Sequence, residues 1–352
     1  MLVSVCVIAY NEVEYLEDLF NDINNQTYDH SKIELILVDN GSTDSTLKAM
    51  NNFADNNDFY STKVISRERG NQAQGWNTAF LNTKGDIIIK IDAHGKIPNN
   101  FIENNVDVIL QGENVCGGGR PNLPAKDAPW DNTLLIAEEC MFGGSFAKYR
   151  NKQEKKEYIN SIFNGAYRKQ VLACVGGFNE ALGRTEDNEF HHRITQAGYK
   201  ICCSPDIVSY QYIRSSLIGM IKQKYANGYW IGLTVKKYPA CLSLFHFVPF
   251  VFVLSLIICS IVCGLGFPWL LQLLIAFYLL FDGYITYNAF SGDKKYLHMA
   301  LLPLIFPALH ISYGIGTLVG ILHPNISKAD LRKANRMIKN VKNYYNDLDT
   351  TD

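Results

Sequence analysis

Residues 84–95 read KGDIIIKIDAHG, and the groups there that could do chemistry are Asp92 and His94. Gly85 and Asp86 supply a turn, and Ile87, Ile88, Ile89 and Ile91 supply a β-branched run of strand length. Residues two apart on an extended chain project to the same side, so the carboxylate and the imidazole can share a divalent cation. An oxygen ligand suits Mg2+ or Mn2+, and the imidazole tilts the choice toward Mn2+. Taken alone, the triplet is also what a solvated loop after a core strand looks like. Acids and polar groups occupy matching places elsewhere. Tyr10, Asn11 and Glu12 follow the apolar run 2–9, and Asp39 and Asn40 follow the apolar run 33–38. Asp187 lies in Thr185-Glu186-Asp187, ahead of a helical pattern carrying Phe190, Ile194 and Ala197. Acids in a first helical turn also complement the helix dipole, so Glu186 and Asp187 have a structural explanation beside a catalytic one.

The elements that must position these groups alternate. A strand over 2–9 leads to a helix through Leu16, Leu19, Phe20 and Ile23, and a strand over 33–38 to a helix carrying Leu47 and Met50. Ser42 or Thr43 can cap that second helix. A short strand over 63–66, a polar loop over 67–75 and a helix over 76–81 precede the Asp92 strand. Strands alternating with helices predict an α/β fold with a parallel sheet, and the acids at three strand ends predict a site along one edge. Gly117, Gly118 and Gly119 read as a tight turn, or else a phosphate cradle.

Bulk properties exclude other classes. The formal net charge of −1 gives no sign of a nucleic-acid partner. Nine cysteines with no C-x-x-C suggest neither a zinc site nor a disulfide framework, and fit reduced thiols facing a cytosol. The N-terminus meets acids soon after its apolar run and lacks a basic leader, so it reads as a buried strand rather than a signal peptide.

VSVCVIAYNE, LILVDNGSTDST, GDIIIKIDAHG and GGFNEALGRTEDNEFHHR, in this order, resemble the motifs of inverting family 2 glycosyltransferases over roughly residues 2–235. The D-x-H variant, with GAYRK and GGF, is most similar to the bacterial exopolysaccharide (succinoglycan-type) glucosyltransferase branch. The resemblance implies a GT-A, Rossmann-like domain that uses a nucleotide-diphospho-sugar, commonly a UDP-sugar, with Mg2+ or Mn2+. It implies that Ala9, Tyr10 and Glu12 hold the nucleotide, with Glu12 near ribose or base, and that Asp39 contacts the uracil. Gly70 and Asn77 match a third nucleotide segment, while Asn40 departs from the second Asp usual at its position. Asp92 and His94 would bind metal, and Asp187 would be the general base, with Glu186 supporting the acceptor site or the loop. Trp130, Phe142 to Ser145 and Asn164 to Ala166 would shape sugar walls, and Gln223 and Trp230 would help cap the acceptor or else form an aromatic belt.

Beyond residue 244 the character changes. Stretches 247–267, 269–290 and 297–322 are apolar and long enough to span a bilayer, with a lone Asp282 in the second. Asp282 should lie near an interface or face another helix. Pro303, Pro307 and the Gly314, Gly316 and Gly320 series break the third stretch and suit close helix packing. The organisation expected is a cytosolic catalytic domain over 1–235, a membrane domain of two to three helices over 236–325, and a basic polar tail over 326–352. Three full crossings cannot leave both ends inside, so the broken third stretch is expected to be re-entrant. The functional expectation is a multi-pass inner-membrane enzyme transferring a sugar to a lipid-linked or saccharide acceptor in surface-polysaccharide assembly. A processive polysaccharide synthase and a non-catalytic nucleotide-binding scaffold are the alternatives.

Overall fold

A computed structural model describes residues 1–140, 150, 153–291 and 296–349. The expected sugar-wall residues 142–145 lie outside the described residues. The elements in chain order are β1 Val3–Ala9, α1 Val13–Asn24, β2 Ile33–Asp39, α2 Thr46–Ala54, β3 Ser61–Ser66, α3 Gln72–Phe80, β4 Ile87–Asp92 and β5 Gly95–Lys96. They continue with α4 Phe101–Leu110, β6 Val115–Gly119, β7 Asn122–Leu123, α5 Pro129–Glu139, β8 Glu157–Ile159, β9 Ala166–Arg168, α6 Lys169–Val175, α7 Glu186–Gln196, β10 Ile201–Val208 and β11 Tyr210–Tyr212. The remaining helices are α8 Leu217–Thr234, α9 Val248–Gly264, α10 Trp269–Phe290, α11 Leu302–Leu322 and α12 Lys328–Asp349.

The chain divides into two compact units, Met1–Pro121 with Ala147–Gln211 and Ile326–Asp352, and Asn122–Phe146 with Tyr212–Asn325. In the first unit one sheet runs β3-β2-β1-β4-β9-β6-β10-β8. β1, β2, β3 and β4 are parallel, and every residue of β1, β2 and β4 is buried, as expected for strands covered on both faces. On α1, Leu16, Leu19, Phe20 and Ile23 fall at helical spacing and fill the core beneath the sheet. The sheet departs from the parallel expectation at β9, which runs antiparallel to both β4 and β6. The alternation of long strands and helices ends after Asp92, and β9 is only three residues long.

Two local readings are corrected. α2 begins after Ser45, not Ser42 or Thr43, whose side chains bond the Asn11 loop instead. Gly117, Gly118 and Gly119 are neither turn nor cradle: they belong to β6, and a β-carbon on Gly118 would overlap the carbonyl of Ile207 on β10. Glycine there permits close strand approach.

Residues 326–352, read as a basic polar tail, contain α12, a full helix of the first unit. Ala334, Val341 and Tyr345 are buried, and Gly176 and Gly177 leave room for Ile338 and Val341. The Tyr345 hydroxyl bonds Thr83 Oγ1 at 2.6 Å, the Tyr344 hydroxyl donates to the Thr83 carbonyl at 2.6 Å, and Asn346 donates to the Ala173 carbonyl at 3.1 Å.

In the second unit, Leu244–Gly264, Trp269–Phe290 and Leu297–Leu322 are long and apolar enough to cross a membrane. Asp282 is fully buried and accepts from Thr286. α8 and α11 lie parallel in close backbone contact: β-carbons on Gly228 and Gly232 would strike the carbonyls of Tyr313 and Thr317, and those on Gly316 and Gly320 the carbonyls of Tyr225 and Tyr229. Gly316 and Gly320 thus take the packing role their spacing suggested, against small residues on α8, while Gly314 gives room to the Pro249 carbonyl on α9. Lys224 on α8 is buried in an ion pair with Glu138 on α5, at 2.9 Å.

Candidate active site

Register brings the polar strand ends together. Ala9 pairs with Asp39 across β1 and β2, and Ile8 pairs with Asp92 across β1 and β4. Asp39, the Tyr10–Glu12 loop and Asp92 therefore lie side by side at the carboxyl edge of the parallel strands, where open α/β sheets bind ligands.

At the Asp39 end the polar groups answer one another. Asp39 is 2% exposed and accepts from Ser42 N at 3.1 Å and Ser66 Oγ at 3.4 Å. Asn11 adopts φ 54°, with its Oδ1 accepting from Thr43 N at 2.8 Å, which ties the first loop to the second. Gly41, at φ 82°, lets the Arg69 backbone approach closely. Asn40 donates to the carbonyls of Gly70 and Asn71 at 3.0 and 3.2 Å and accepts from Arg67. Gly70 leaves space for the Arg67 guanidinium. Asn71 and Gln74 form a reciprocal cap on α3. Tyr10 is partly exposed, with the Arg69 guanidinium 4.9 Å above its ring. Asn77 stands on α3. It is fully buried, donates to Phe178 O at 2.9 Å and Glu180 Oε1 at 3.0 Å, and accepts from Phe178 N at 2.7 Å. It clamps the GGFNE segment onto α3.

The Asp92 end is different. Lys90 and Asp92 lie on one side of β4, and Ala93 and His94 form the turn that leads to β5. Lys90 has no exposed surface. Its ammonium lies 2.9 Å from Asp187 Oδ1, 4.8 Å from the Trp76 ring and 5.7 Å from the Phe178 ring. Burial alone would lower its pKa, but the carboxylates of Asp187 and Asp92 outweigh that and hold it above the ordinary lysine value. Asp92 is 5% exposed. Burial raises its carboxyl above the usual range against the opposing pull of Lys90 and His94. Its backbone N–H donates to Asn164 Oδ1 at 3.2 Å, and its Oδ1 is buried with no hydrogen-bond partner.

The two neighbouring acids at the start of α7 separate by environment. Glu186 is buried, and burial followed by the charge of Asp187 pushes its carboxyl up to about 8. Asp187 keeps 27% of its side chain exposed and is held by Lys90. His191, on the same helix, is a core residue: its nitrogens meet Ser161 Oγ at 3.0 Å and the Tyr167 hydroxyl at 2.9 Å. Burial pulls its pKa down to about 4.

Glu12 points to His94 rather than away along the loop: its Oε1 is 3.3 Å from His94 Nδ1, and Gln211 Nε2 is 2.7 Å from His94 Nε2. Pairing of Tyr210 and Gln211 with Lys96 and Gly95 brings Gln211 there. Both imidazole nitrogens are thus engaged, and a cation taking Nε2 would displace Gln211. Among the described residues no group of three or more His, Cys, Asp or Glu is arranged for a metal. The orphaned Asp92 oxygen fits a hard cation that one or two protein groups hold and substrate phosphates complete.

Lys90, Gln211 and Arg67 escaped the sequence reading, and Asn164 entered it only as an expected sugar-wall residue. Lys90 carried a usable signal, a charge inside an otherwise apolar strand two residues before Asp92. The other three act only through contacts between distant segments. Gln223 and Trp230 sit on α8 in the second unit, and Trp130 there meets His298 edge-on.

Residues 4–176 match the sequence model described as "Glycosyl transferase family 2". The chain is 26% identical to the dolichyl N-acetyl-alpha-D-glucosaminyl phosphate 3-beta-D-2,3-diacetamido-2,3-dideoxy-beta-D-glucuronosyltransferase of Methanococcus voltae over 330 residues, 92% of this chain and 98% of that protein. It is 22% identical to the succinoglycan biosynthesis protein ExoA of Rhizobium meliloti over 229 residues, 64% of this chain and 67% of that protein. Among solved structures, the mannosyltransferase PcManGT from Pyrobaculum calidifontis, in complex with GDP-Man and Mn2+, superposes with a TM-score of 0.55 at 21% identity, covering 91% of this chain and 86% of that one. The fold is GT-A. The chain carries a family 2 glycosyltransferase domain and is a glycosyltransferase; its relatives span an archaeal transferase and a succinoglycan protein.

Proposed function

We propose that this glycosyltransferase moves a sugar, with inversion at C1, from a UDP-sugar to a lipid-linked saccharide acceptor at a membrane surface, in surface-polysaccharide assembly of the succinoglycan type. The observation that carries the reading is the cluster of Lys90, Asp92 and Asp187 beside an orphaned carboxylate oxygen at the sheet edge. The lipid-linked acceptor draws support from the apolar helices and from the name of the Methanococcus voltae relative, which acts on a dolichyl phosphate-linked sugar.

The acceptor hydroxyl needs a base as it attacks. Of the two acids, Glu186 holds its own proton near neutral pH, whereas Asp187 is partly open to a ligand and paired with a cation. Asp187 takes the hydroxyl proton while the acceptor oxygen bonds to C1. The bond from C1 to the phosphate oxygen breaks on the opposite face, and its electron pair leaves with the nucleoside diphosphate. A divalent cation, held by Asp92 and by His94 once Gln211 moves off, would neutralise the charge on that leaving group. Lys90 keeps Asp187 turned toward the acceptor. Glu12 fixes the orientation of His94.

One unit contains both residues 1–121 and 326–349, which favours an even number of crossings. We read Leu297–Leu322 as the stretch that does not cross: 39% of its window is buried within its unit, against 6% and 17% for the other two. Its partner helix α8 carries Lys222, which would cost about 2.5–3.5 kcal/mol at mid-bilayer. The catalytic unit then faces the cytosol.

Calorimetric titration of UDP and GDP, with and without Mn2+, into the wild type and Asp92→Ala tests the site. UDP binding that needs both Mn2+ and Asp92 is expected. Folded protein that binds neither nucleotide would overturn the reading, and a preference for GDP would replace the donor class.

A further inference from the structure

α12 presents two unlike faces. Ala334, Val341 and Tyr345 are buried against the rest of the first unit. On the other side Lys328, Arg332, Arg336, Lys339 and Lys342 are all exposed, and at 3.6 residues per turn they fall within an arc of about 120°. Asp330 and Asp347 fall outside that arc. Among the described residues none of the five forms an ion pair. A helix held by its apolar face needs no such concentration of one sign opposite, and charges of one sign repel along a shared face.

The chain supplies the context. Leu297–Leu322, apolar and of membrane-spanning length, ends six positions before Lys328. The five intervening residues reach at most about 18 Å when fully extended. A bilayer that holds the apolar helices therefore has its headgroup layer within reach of the start of α12. Clusters of four to eight basic residues next to a membrane segment are attracted to anionic headgroups.

We propose that the basic face of α12 docks on the anionic headgroups of the bilayer and fixes the catalytic unit against the surface that carries its acceptor. α12 is then a two-sided strap: Tyr344, Tyr345 and Asn346 hold the enzyme, and Lys328, Arg332, Arg336, Lys339 and Lys342 hold the lipid. The inference rests on the apolar helices being embedded, and stable incorporation into discs of either composition tests that premise separately.

The test is amine-reactive footprinting of the full chain in lipid nanodiscs, with phosphatidylcholine alone and with added phosphatidylglycerol. In the anionic discs the reactivity of Lys339 and Lys342 should fall about fivefold, and salt should restore it. Exposed Lys48 on α2 should react equally in both. Arg332→Glu/Arg336→Glu should abolish the protection while leaving UDP binding in detergent unchanged, which shows that the variant is folded. Equal labelling in the two compositions, or equal protection in neutral lipid, would overturn the proposal.

Discussion

The two ends of the sheet edge are built on opposite plans. Around Asp39 and Asn40 the buried polar groups find partners within the protein: Asp39 accepts from Ser42 and Ser66, and Asn40 is tied to Gly70, Asn71 and Arg67. Around Asp92 and Asp187 the accounts are left open, with Asp92 Oδ1 and Glu186 Oε2 buried and unpartnered beside a fully buried lysine. A buried polar atom without a partner costs free energy that a fold normally avoids. Its persistence at one end only is what the proposed ligand role of the Asp92 end would explain.

The sharpest way to break this comparison is Asp187→Asn. Loss of the base should lower kcat about 10²–10⁴-fold, with UDP affinity unchanged because the amide keeps the shape. A variant with near-wild-type turnover would move the chemistry away from the Asp92 end. Lys90→Met comes next. It leaves the buried Asp92 and the partly exposed Asp187 without their cation, and breaking a buried pair costs up to about 3–5 kcal/mol. Thermal unfolding should show that loss, and Lys90→Met/Asp187→Asn should lose less than the sum of the single variants. Additive losses would mean that the 2.9 Å contact between Lys90 and Asp187 does not couple them.

Glu186 sharpens the contrast through pH. Burial, then Asp187, raises its carboxyl from 4.5 to about 8 in the folded protein. The folded state therefore keeps a proton that the unfolded chain releases above pH 4.5. Stability contributed by that proton is complete below 4.5 and is lost as pH rises through about 8. One such proton gives a slope of about 1.4 kcal/mol per pH unit. Glu186→Gln should flatten this part of the stability profile, measured by denaturant unfolding between pH 5 and 8. An unchanged slope would show that Glu186 does not hold the proton.

How much of this was legible beforehand follows the same division. Asp39 and Asp92 were readable because each terminates an apolar run whose period is local, and Asp187 because it opens a helical pattern. The apolar stretches of α9, α10 and α11 were readable for the same reason. α12 was misread as a polar tail because its Lys and Arg residues dominate its composition, while its few apolar residues gain meaning only against α6 and α3. Lys90 received no role, since only the fold brings Asp187, ninety-seven positions later, to its ammonium. Asn77 and Glu12 make contacts that no sequence reading supplied. Their side chains turn to Phe178 and His94, contacts set by loop geometry that no local pattern encodes.

Asn40 supplies the smallest effect and the least intuitive direction. An aspartate is usual at its position in the resembled family, so Asn40→Asp looks like a restoration. Here the amide nitrogen donates to two carbonyls, Gly70 O at 3.0 Å and Asn71 O at 3.2 Å, in a residue only 5% exposed. A carboxylate cannot donate, and it would set negative oxygen against both carbonyls, with only Arg67 to compensate. The loss of satisfied partners should cost about 1–3 kcal/mol, read as a lower unfolding midpoint. Because Asn71 caps α3 and donates to Glu180 O at 2.7 Å, the loop and the GGFNE segment should loosen together. UDP affinity per folded molecule should change little. If Asn40→Asp instead tightened UDP binding without loss of stability, Asn40 would belong with the ligand groups, and the division between the two ends would fail at the residue that most defines it.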